Sequence, residues 1–277
     1  MSKESNEYVK PFLRWAGGKQ WLASKLSKLI STQDHTYYEP FLGGGSLFFA
    51  ARPKKAILGD TNERLIETYR VLRDRWKDLI PILSYWNNEK ETYYKVRAVE
   101  FKDEVWRASQ FIYLNKTCWN GLYRVNQEGN FNVPFGYNGR KVFDEGNLSE
   151  ASELLQNAKI ICSDFQKLLE TATAGDFIYL DPPYIVLHAQ NGFRRYNEKL
   201  FSWQDQIRLA QLARELVLRG CLVMVSNADN KAVLSLYPDF HYLMLSRHSI
   251  LAADPKWRRK TQEALLISSN QLPVFEI

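Results

Sequence analysis

The sequence predicts an α/β fold in which a seven-stranded sheet is interrupted after its second strand by an inserted, mainly helical domain carrying a β-hairpin. Short β-branched and aromatic runs ending in glycine or an acid occur before residue 61 and again after residue 156. Between them, apolar residues recur at helical rather than alternating spacing. The expected division is therefore 1–61 with 156–277 as one discontinuous domain and 62–155 as the insertion.

Taken in order, Phe12-Leu-Arg14-Trp15-Ala-Gly17-Gly18-Lys19 precedes any regular pattern. Its glycine pair permits close backbone approach, and Trp15 and Lys19 offer a flat ring and a cation. Leu22, Leu26, Leu29 and Ile30 then follow helical spacing. Tyr37 to Phe49 reads as a strand, a turn at Gly43-Gly44-Gly45 and an apolar helix, the β-turn-α form of a nucleotide-type site. Phe48 stands where the dinucleotide fingerprint needs glycine or alanine, so a pyrophosphate is not the indicated ligand. The next strand, 56–59, ends at Asp60, whose carboxylate can accept from ribose hydroxyls.

In the insertion, Leu65 to Trp76 and Val105 to Ile112 have amphipathic helical spacing, with Tyr85-Trp86 and Tyr93-Tyr94 between them. Asn115 to Gly136 follows, rich in amides and aromatics, and Gln127-Glu-Gly-Asn130 suggests a hairpin turn. Strands resume at 159–164, ending at Asp164, and continue at 177–180, 221–226, 240–246 and 264–268. A helix over 204–218 is closed by Gly220. The irregular segment 185–201, with Arg194 and Arg195, has the length of a lid or binding loop.

The strand Phe177-Ile-Tyr-Leu180 runs into Asp181-Pro182-Pro183-Tyr184. Proline offers no N–H to a neighbouring strand, so the chain turns there, at the sheet edge where α/β proteins bind ligands. A planar amino-heterocycle can donate to the Asp181 carboxylate and the Pro182 carbonyl together while its ring stacks on Tyr184.

A net charge of +6 with pI near 9.0 permits a nucleic-acid partner without requiring one. Cys118, Cys162 and Cys221 are too dispersed for a Cys-x-x-Cys metal site or a disulfide framework. No apolar run is long enough to span a bilayer, and the N-terminus lacks the apolar core of a signal peptide, so a cytoplasmic protein is expected.

W-A-G-G-K, E-P-F-x-G-x-G-S, N-G-L-x-R-x-N, F-N-V-P-F-G and D-P-P-Y occur in one order from Phe12 to about Ser268. In this the sequence resembles the Dam-type (class alpha) DNA adenine-N6 methyltransferases. The resemblance implies a Rossmann-like seven-stranded methyltransferase sheet and S-adenosyl-L-methionine as cofactor, with no metal. Cofactor contacts carry over to Trp15, Lys19, Gly43, Gly45, Asp60, Asp164, Phe165 and Asp181, and catalysis to Asp181, Pro182 and Tyr184. The insertion becomes a target-recognition domain for double-stranded DNA.

The expected chemistry follows from the target. An exocyclic adenine nitrogen is a poor nucleophile because its lone pair is delocalised; acceptors at Asp181 and Pro182 would favour a pyramidal nitrogen aimed at the methyl group. The base lies inside the duplex and must be flipped out to stack on Tyr184.

In the recognition domain Arg124 suits bidentate reading of guanine, with Arg14 a second candidate. Leu122 suits a wedge in the base stack, and Asn120 orients the hairpin or meets a base edge. The family pattern goes with GATC. Arg140, Lys141, Arg194, Arg195 and the cluster Lys256-Trp-Arg258-Arg259-Lys260 supply cations for phosphates. RNA adenine methylation and a catalytically silent DNA-binding protein are the alternatives. Protein-glutamine methylation is disfavoured by Asp181 where such enzymes carry Asn, and cytosine-C5 chemistry by the lack of a Pro-Cys pair. A cognate restriction endonuclease acting on the same site is the further partner implied.

Overall fold

The computed structural model describes residues 9–30, 35–136, 139, 141–184, 201–248 and 260–268. Arg140, Arg194, Arg195, Arg258 and Arg259 lie outside these described residues, as does the loop 185–200. The chain divides into two compact units, Met1–Ser31 with Leu42–Cys162, and Thr32–Phe41 with Ser163–Ile277.

The strands are β1 (Tyr37–Glu39), β2 (Ala56–Asp60), β3 (Ala158–Cys162), β4 (Phe177–Leu180), β5 (Leu222–Ala228), β6 (Phe240–His248) and β7 (Lys260–Ser268). They form one mixed seven-stranded sheet in the order β3-β2-β1-β4-β5-β7-β6. With helices between the strands this is an α/β methyltransferase-like architecture, as expected from the sequence.

In the first unit, β2 and β3 pair in parallel from Ala56↔Ala158 to Asp60↔Cys162. Helix α1 (Gln20–Leu26) continues into a short 3-10 turn, and α2 (Ser46–Ala51) follows the glycine turn. The long α3 (Glu63–Tyr85) begins immediately after β2, with the Asn62 side chain accepting from the Leu65 N–H to cap it. Its backbone leaves helical geometry at Arg75 (φ −141°, ψ 32°), and Pro81 lies further on. Three more helices follow: α4 (Lys90–Ala98), α5 (Glu104–Thr117) and α6 (Glu145–Leu155). Asp103 and Asp144 cap α5 and α6 through their side chains.

Helices α4 and α6 go beyond the expected pattern. In α4 only Tyr93 and Val96 are buried, so the apolar stripe is too thin to stand out. In α6 the buried set is Leu148, Ala151, Ser152 and Leu155, a helical spacing masked by Gly146 and Asn147 at its start.

The second unit holds β1, β4 and β5 in parallel register and β7 antiparallel to both β5 and β6. Every residue of β4 is buried, which explains its uninterrupted apolar sequence. Two further helices are α7 (Phe165–Leu169) and α8 (Trp203–Leu218), and a single turn, α9 (Lys231–Leu234), follows β5. Ser202 and Asp205 form a reciprocal capping box on α8, and Gly220, at φ 88°, closes it. Among the described residues no helix is long and apolar enough to cross a membrane.

Candidate active site

In the first unit, the site is built around the glycine turn. Gly43 (φ 46°) and Gly45 (φ 64°) adopt the left-handed conformation that side chains resist. A Cβ on Gly43 would stand 2.7 Å from Cδ1 of Trp15. The turn and the Trp15 ring are therefore in direct contact. Gly43 N–H donates to Asp60 Oδ2 (3.1 Å), Asn62 N–H donates to Oδ1 (3.0 Å), and Tyr69 O–H donates to the Gly43 carbonyl (3.1 Å). Burial raises the Asp60 pKa, against the pull of the N–H donors of Asn62, Gly43 and Thr61. Lys19 is buried, its Nζ donating to the Gly17 carbonyl at 3.0 Å. Trp15, Lys19, Gly43, Gly45 and Asp60 thus come from one locally cross-linked assembly.

The same unit carries the segment Asn115–Gly136. Trp15 stacks on Tyr123 (centroids 5.6 Å, interplanar 20°), which also packs on Phe111 and Phe131. A short turn at Trp119–Gly121 holds Asn120 at φ 55°, exposed. The hairpin expected at 127–130 is present: Asn126 N–H donates to the Asn130 carbonyl, and Val125 and Phe131 form an antiparallel bridge. Arg124 is exposed, with Nε 2.7 Å from Asn132 Oδ1 and Nη2 3.3 Å from the Asn132 carbonyl. Asn132 thus backs the guanidinium through both its side chain and its carbonyl. Leu122 is half-buried, Arg14 is half-buried and Lys141 is exposed.

In the second unit, β4 delivers Asp181, half-buried, followed by buried Pro182 and half-buried Tyr184. Tyr184 O–H donates to Asp181 Oδ1 at 3.3 Å and lies 3.3 Å from Ser226 Oγ on β5. Desolvation, then the charge of Asp181, pushes the phenol's pKa well up, so it stays protonated and available as a donor. Beside it on β1, buried Glu39 accepts from Tyr37 O–H at 2.8 Å.

Asp164 caps α7 by accepting from Gln166 N–H and receives two bonds from Arg208 on α8, at 2.9 and 2.8 Å. The Arg208 guanidinium also lies over the ring of Phe165, 4.2 Å from its centroid. Phe165 is buried against Phe41 and Phe201.

The sequence reading gave no role to Ser226, Glu39, Arg208 and Asn115. Trp119, directly before Asn120-Gly121, is 49% exposed. Ser226, Arg208 and Asn115 bond partners distant in sequence, which no spacing rule signals, whereas Glu39 bonds Tyr37 two residues away and heads E-P-F-x-G-x-G-S, so its signal was present.

The model of the D12 class N6 adenine-specific DNA methyltransferases matches residues 15–249. The chain is 44% identical over 246 residues to the type II methyltransferase M.MjaIII of Methanocaldococcus jannaschii, spanning 80% of this chain and 85% of that protein. It is 36% identical to the type II methyltransferase M1.LlaDCHI of Lactococcus lactis subsp. cremoris, spanning 93% and 95%. It is 32% identical to a DNA adenine methylase of Serratia marcescens, spanning 92% and 97%.

Proposed function

Because the chain belongs to the D12 class of N6 adenine-specific DNA methyltransferases, we propose that it methylates adenine N6 within GATC in duplex DNA, on a flipped-out base. The observation that carries the reading is the Asp181-Pro-Pro-Tyr184 turn at the end of β4, with the phenol hydrogen-bonded to the carboxylate. Residues 62–155 serve as the target-recognition domain and 1–61 with 156–277 as the catalytic domain.

S-adenosyl-L-methionine is the methyl donor in this reading, supplying when bound an electrophilic methyl group on a sulfonium. The fit is tested at the glycine turn. Only glycine leaves the Gly43 backbone uncovered beside Trp15, and the half-buried Asp60 carboxylate is held by two N–H donors. Both features suit a nucleoside with ribose hydroxyls to donate. Trp15, Lys19, Gly43, Gly45 and Asp60 would hold the donor, with Asp164, Phe165 and Asp181. The bond pattern of Asp164 supports a role as a positioned acceptor: two bonds from Arg208 orient its carboxylate.

Asp181 and the Pro182 carbonyl accept the two N6 hydrogens, turning the nitrogen lone pair out of the ring plane. Tyr184 covers the base face. Its hydroxyl must cede Asp181 Oδ1 to the incoming amino group, and Ser226 Oγ offers it a second partner. Arg124, Arg14, Asn120 and Leu122 read or open the site, and Arg140, Lys141, Arg258 and Arg259 neutralise phosphates. The type II names of two relatives support a companion endonuclease directed at the same site.

Transfer of a labelled methyl group to GATC duplex, to a duplex lacking the site and to RNA tests the reading. Incorporation confined to the first is expected. Equal incorporation into all duplexes removes the GATC assignment, and preference for RNA removes the DNA assignment.

A further inference from the structure

Asn115, at the buried C-terminal end of α5, is 1% exposed and spends its whole amide on two remote stretches of backbone. Its Oδ1 accepts from Arg14 N–H (2.8 Å), and its Nδ2 donates to the Arg14 carbonyl (2.7 Å) and more weakly to the Gly121 carbonyl (3.4 Å). The side chain thus pairs both backbone groups of Arg14 as a neighbouring strand would, and ties them to the Asn120-Gly121 turn. The junction has no slack: a Cβ on Gly121 would stand 2.5 Å from Cβ of Arg14 and 2.9 Å from its Nε.

One residue away, the Trp15 ring stacks on Tyr123. The turn is tied from its other end as well, since Trp119 N–H donates to the Pro134 carbonyl and Gly136 N–H to the Thr117 carbonyl. Asn115 and the Trp15–Tyr123 stack thus both tie the start of the hairpin to the Arg14–Trp15 segment.

We propose that Asn115 is a positioning residue for sequence discrimination, holding the Arg14 backbone and the Asn120–Arg124 turn in the single register at which base edges are read. The proposal rests on the reading of this segment as a DNA-reading hairpin. Bidentate recognition of guanine needs both donors within hydrogen-bond range at once, so a shift of about 1 Å removes discrimination while leaving the charge near the DNA. Non-specific phosphate contacts tolerate such a shift. An amide is required at 115 because the site presents one donor and two acceptors: carboxylate faces the two carbonyls with no hydrogen to offer, and alanine leaves all three groups unpaired.

Two variants approach the junction from opposite sides. Asn115→Asp keeps the shape and the acceptor for Arg14 N–H but loses both donors; Gly121→Ala forces Arg14 and the turn apart. For each, kcat/KM is measured on a cognate duplex and on duplexes with one guanine replaced. Melting temperature, the saturated methylation rate on cognate DNA and S-adenosylhomocysteine affinity are measured alongside. The expected result is a fall of about tenfold or more in the cognate-to-altered ratio, with cofactor-product affinity and saturated rate within about threefold of wild type. A residue that only stabilises the fold would lower the melting temperature and scale all duplex rates together. An unchanged ratio in both variants, or in Gly121→Ala alone should Asn115→Asp not fold, overturns the proposal. Wild-type protein that methylates adenine regardless of flanking guanine instead overturns the reading beneath it.

Discussion

The phenolic oxygen of Tyr184 lies 3.3 Å from Oδ1 of Asp181 and donates to it. In the proposed mechanism the target amino group needs that same oxygen, so donors exchange there and the two residues should respond differently to substitution.

Asp181→Ala removes the acceptor itself and is expected to lower the methyl-transfer rate by about 10³-fold, with melting temperature and DNA affinity near wild type. Tyr184→Phe keeps the ring and removes only the hydroxyl that must leave Asp181, so its rate should stay within about tenfold. Tyr184→Ala loses the stacking surface, worth about 1–3 kcal/mol per base, and should fall well below both wild type and Tyr184→Phe. Single-turnover transfer to a GATC duplex measures all three. A near-wild-type rate for Asp181→Ala would falsify the mechanism.

Gly43→Ala should damage cofactor binding from two directions. Its φ of 46° costs a side chain about 1–2 kcal/mol, and its Cβ would drive against Trp15. S-adenosylhomocysteine titration by calorimetry should show at least about a tenfold loss of affinity. Gly44→Ala is the control: it has no positive φ and would meet the Trp15 Cβ only at 3.2 Å, so the loss there should be smaller.

With Asp60 in the proposed cofactor role, its raised pKa predicts a pH dependence of cofactor affinity. An ionised carboxylate accepts ribose hydroxyls best, so affinity should be full above the folded-state pKa and fall as pH drops through it. Because burial raises that pKa, the fall should begin at higher pH than the ordinary 3.8 predicts. Stability moves the opposite way: the folded chain binds the Asp60 proton more tightly than the unfolded one, so this group's contribution declines as pH rises from 3.8 through the folded value. Titrations of S-adenosylhomocysteine against pH, with Asp60→Asn as reference, should show an inflection that the variant lacks.

Arg124→Ala is expected to cost about 1–3 kcal/mol of discrimination at one guanine position while changing non-specific binding little. Lys141→Ala should do the reverse, weakening all duplexes equally and lowering the salt slope by about one. Asn132→Ala removes the side-chain bond to Arg124 Nε and leaves only the longer one to the residue-132 carbonyl, so it should blur the same guanine position that Arg124→Ala erases. Competition binding across single-base variants of the site, at several salt concentrations, separates these outcomes.

Strand ends and turns were legible in the sequence because their chemistry is local. Asp60, Asp164 and Asp181 each follow an apolar run, and a left-handed turn at 43–45 calls for glycine wherever it occurs. The run of helices between β2 and β3 was legible as a change of period. What stayed hidden depends on contacts between distant residues. Asp164 was legible as the acid that ends a strand, but its guanidinium partner stands 44 residues further on. Ser226 lies 42 residues beyond Tyr184, inside a strand whose apolar character drew attention away from its one hydroxyl. Asn115 binds Arg14 across 101 residues, a separation at which no spacing rule operates.

Helix α3 bears on how target specificity can be transplanted between relatives. It starts one residue after its Asn62 cap at the end of β2, and Tyr69 on it supports the Gly43 turn. Arg70 donates to the Ile160 carbonyl and Arg73 to the Ala158 carbonyl of β3, while Arg107 on α5 engages Glu67. Residues 62–155 are therefore not a cassette joined by hinges, because their first helix also supports the Gly43 turn and bonds β3. A chimera exchanging all of 62–155 would replace that support and is expected to lose methyl transfer along with its old specificity. Exchange of 119–136 alone leaves α3 in place, and it is the smaller graft through which such enzymes would change the sequence they mark.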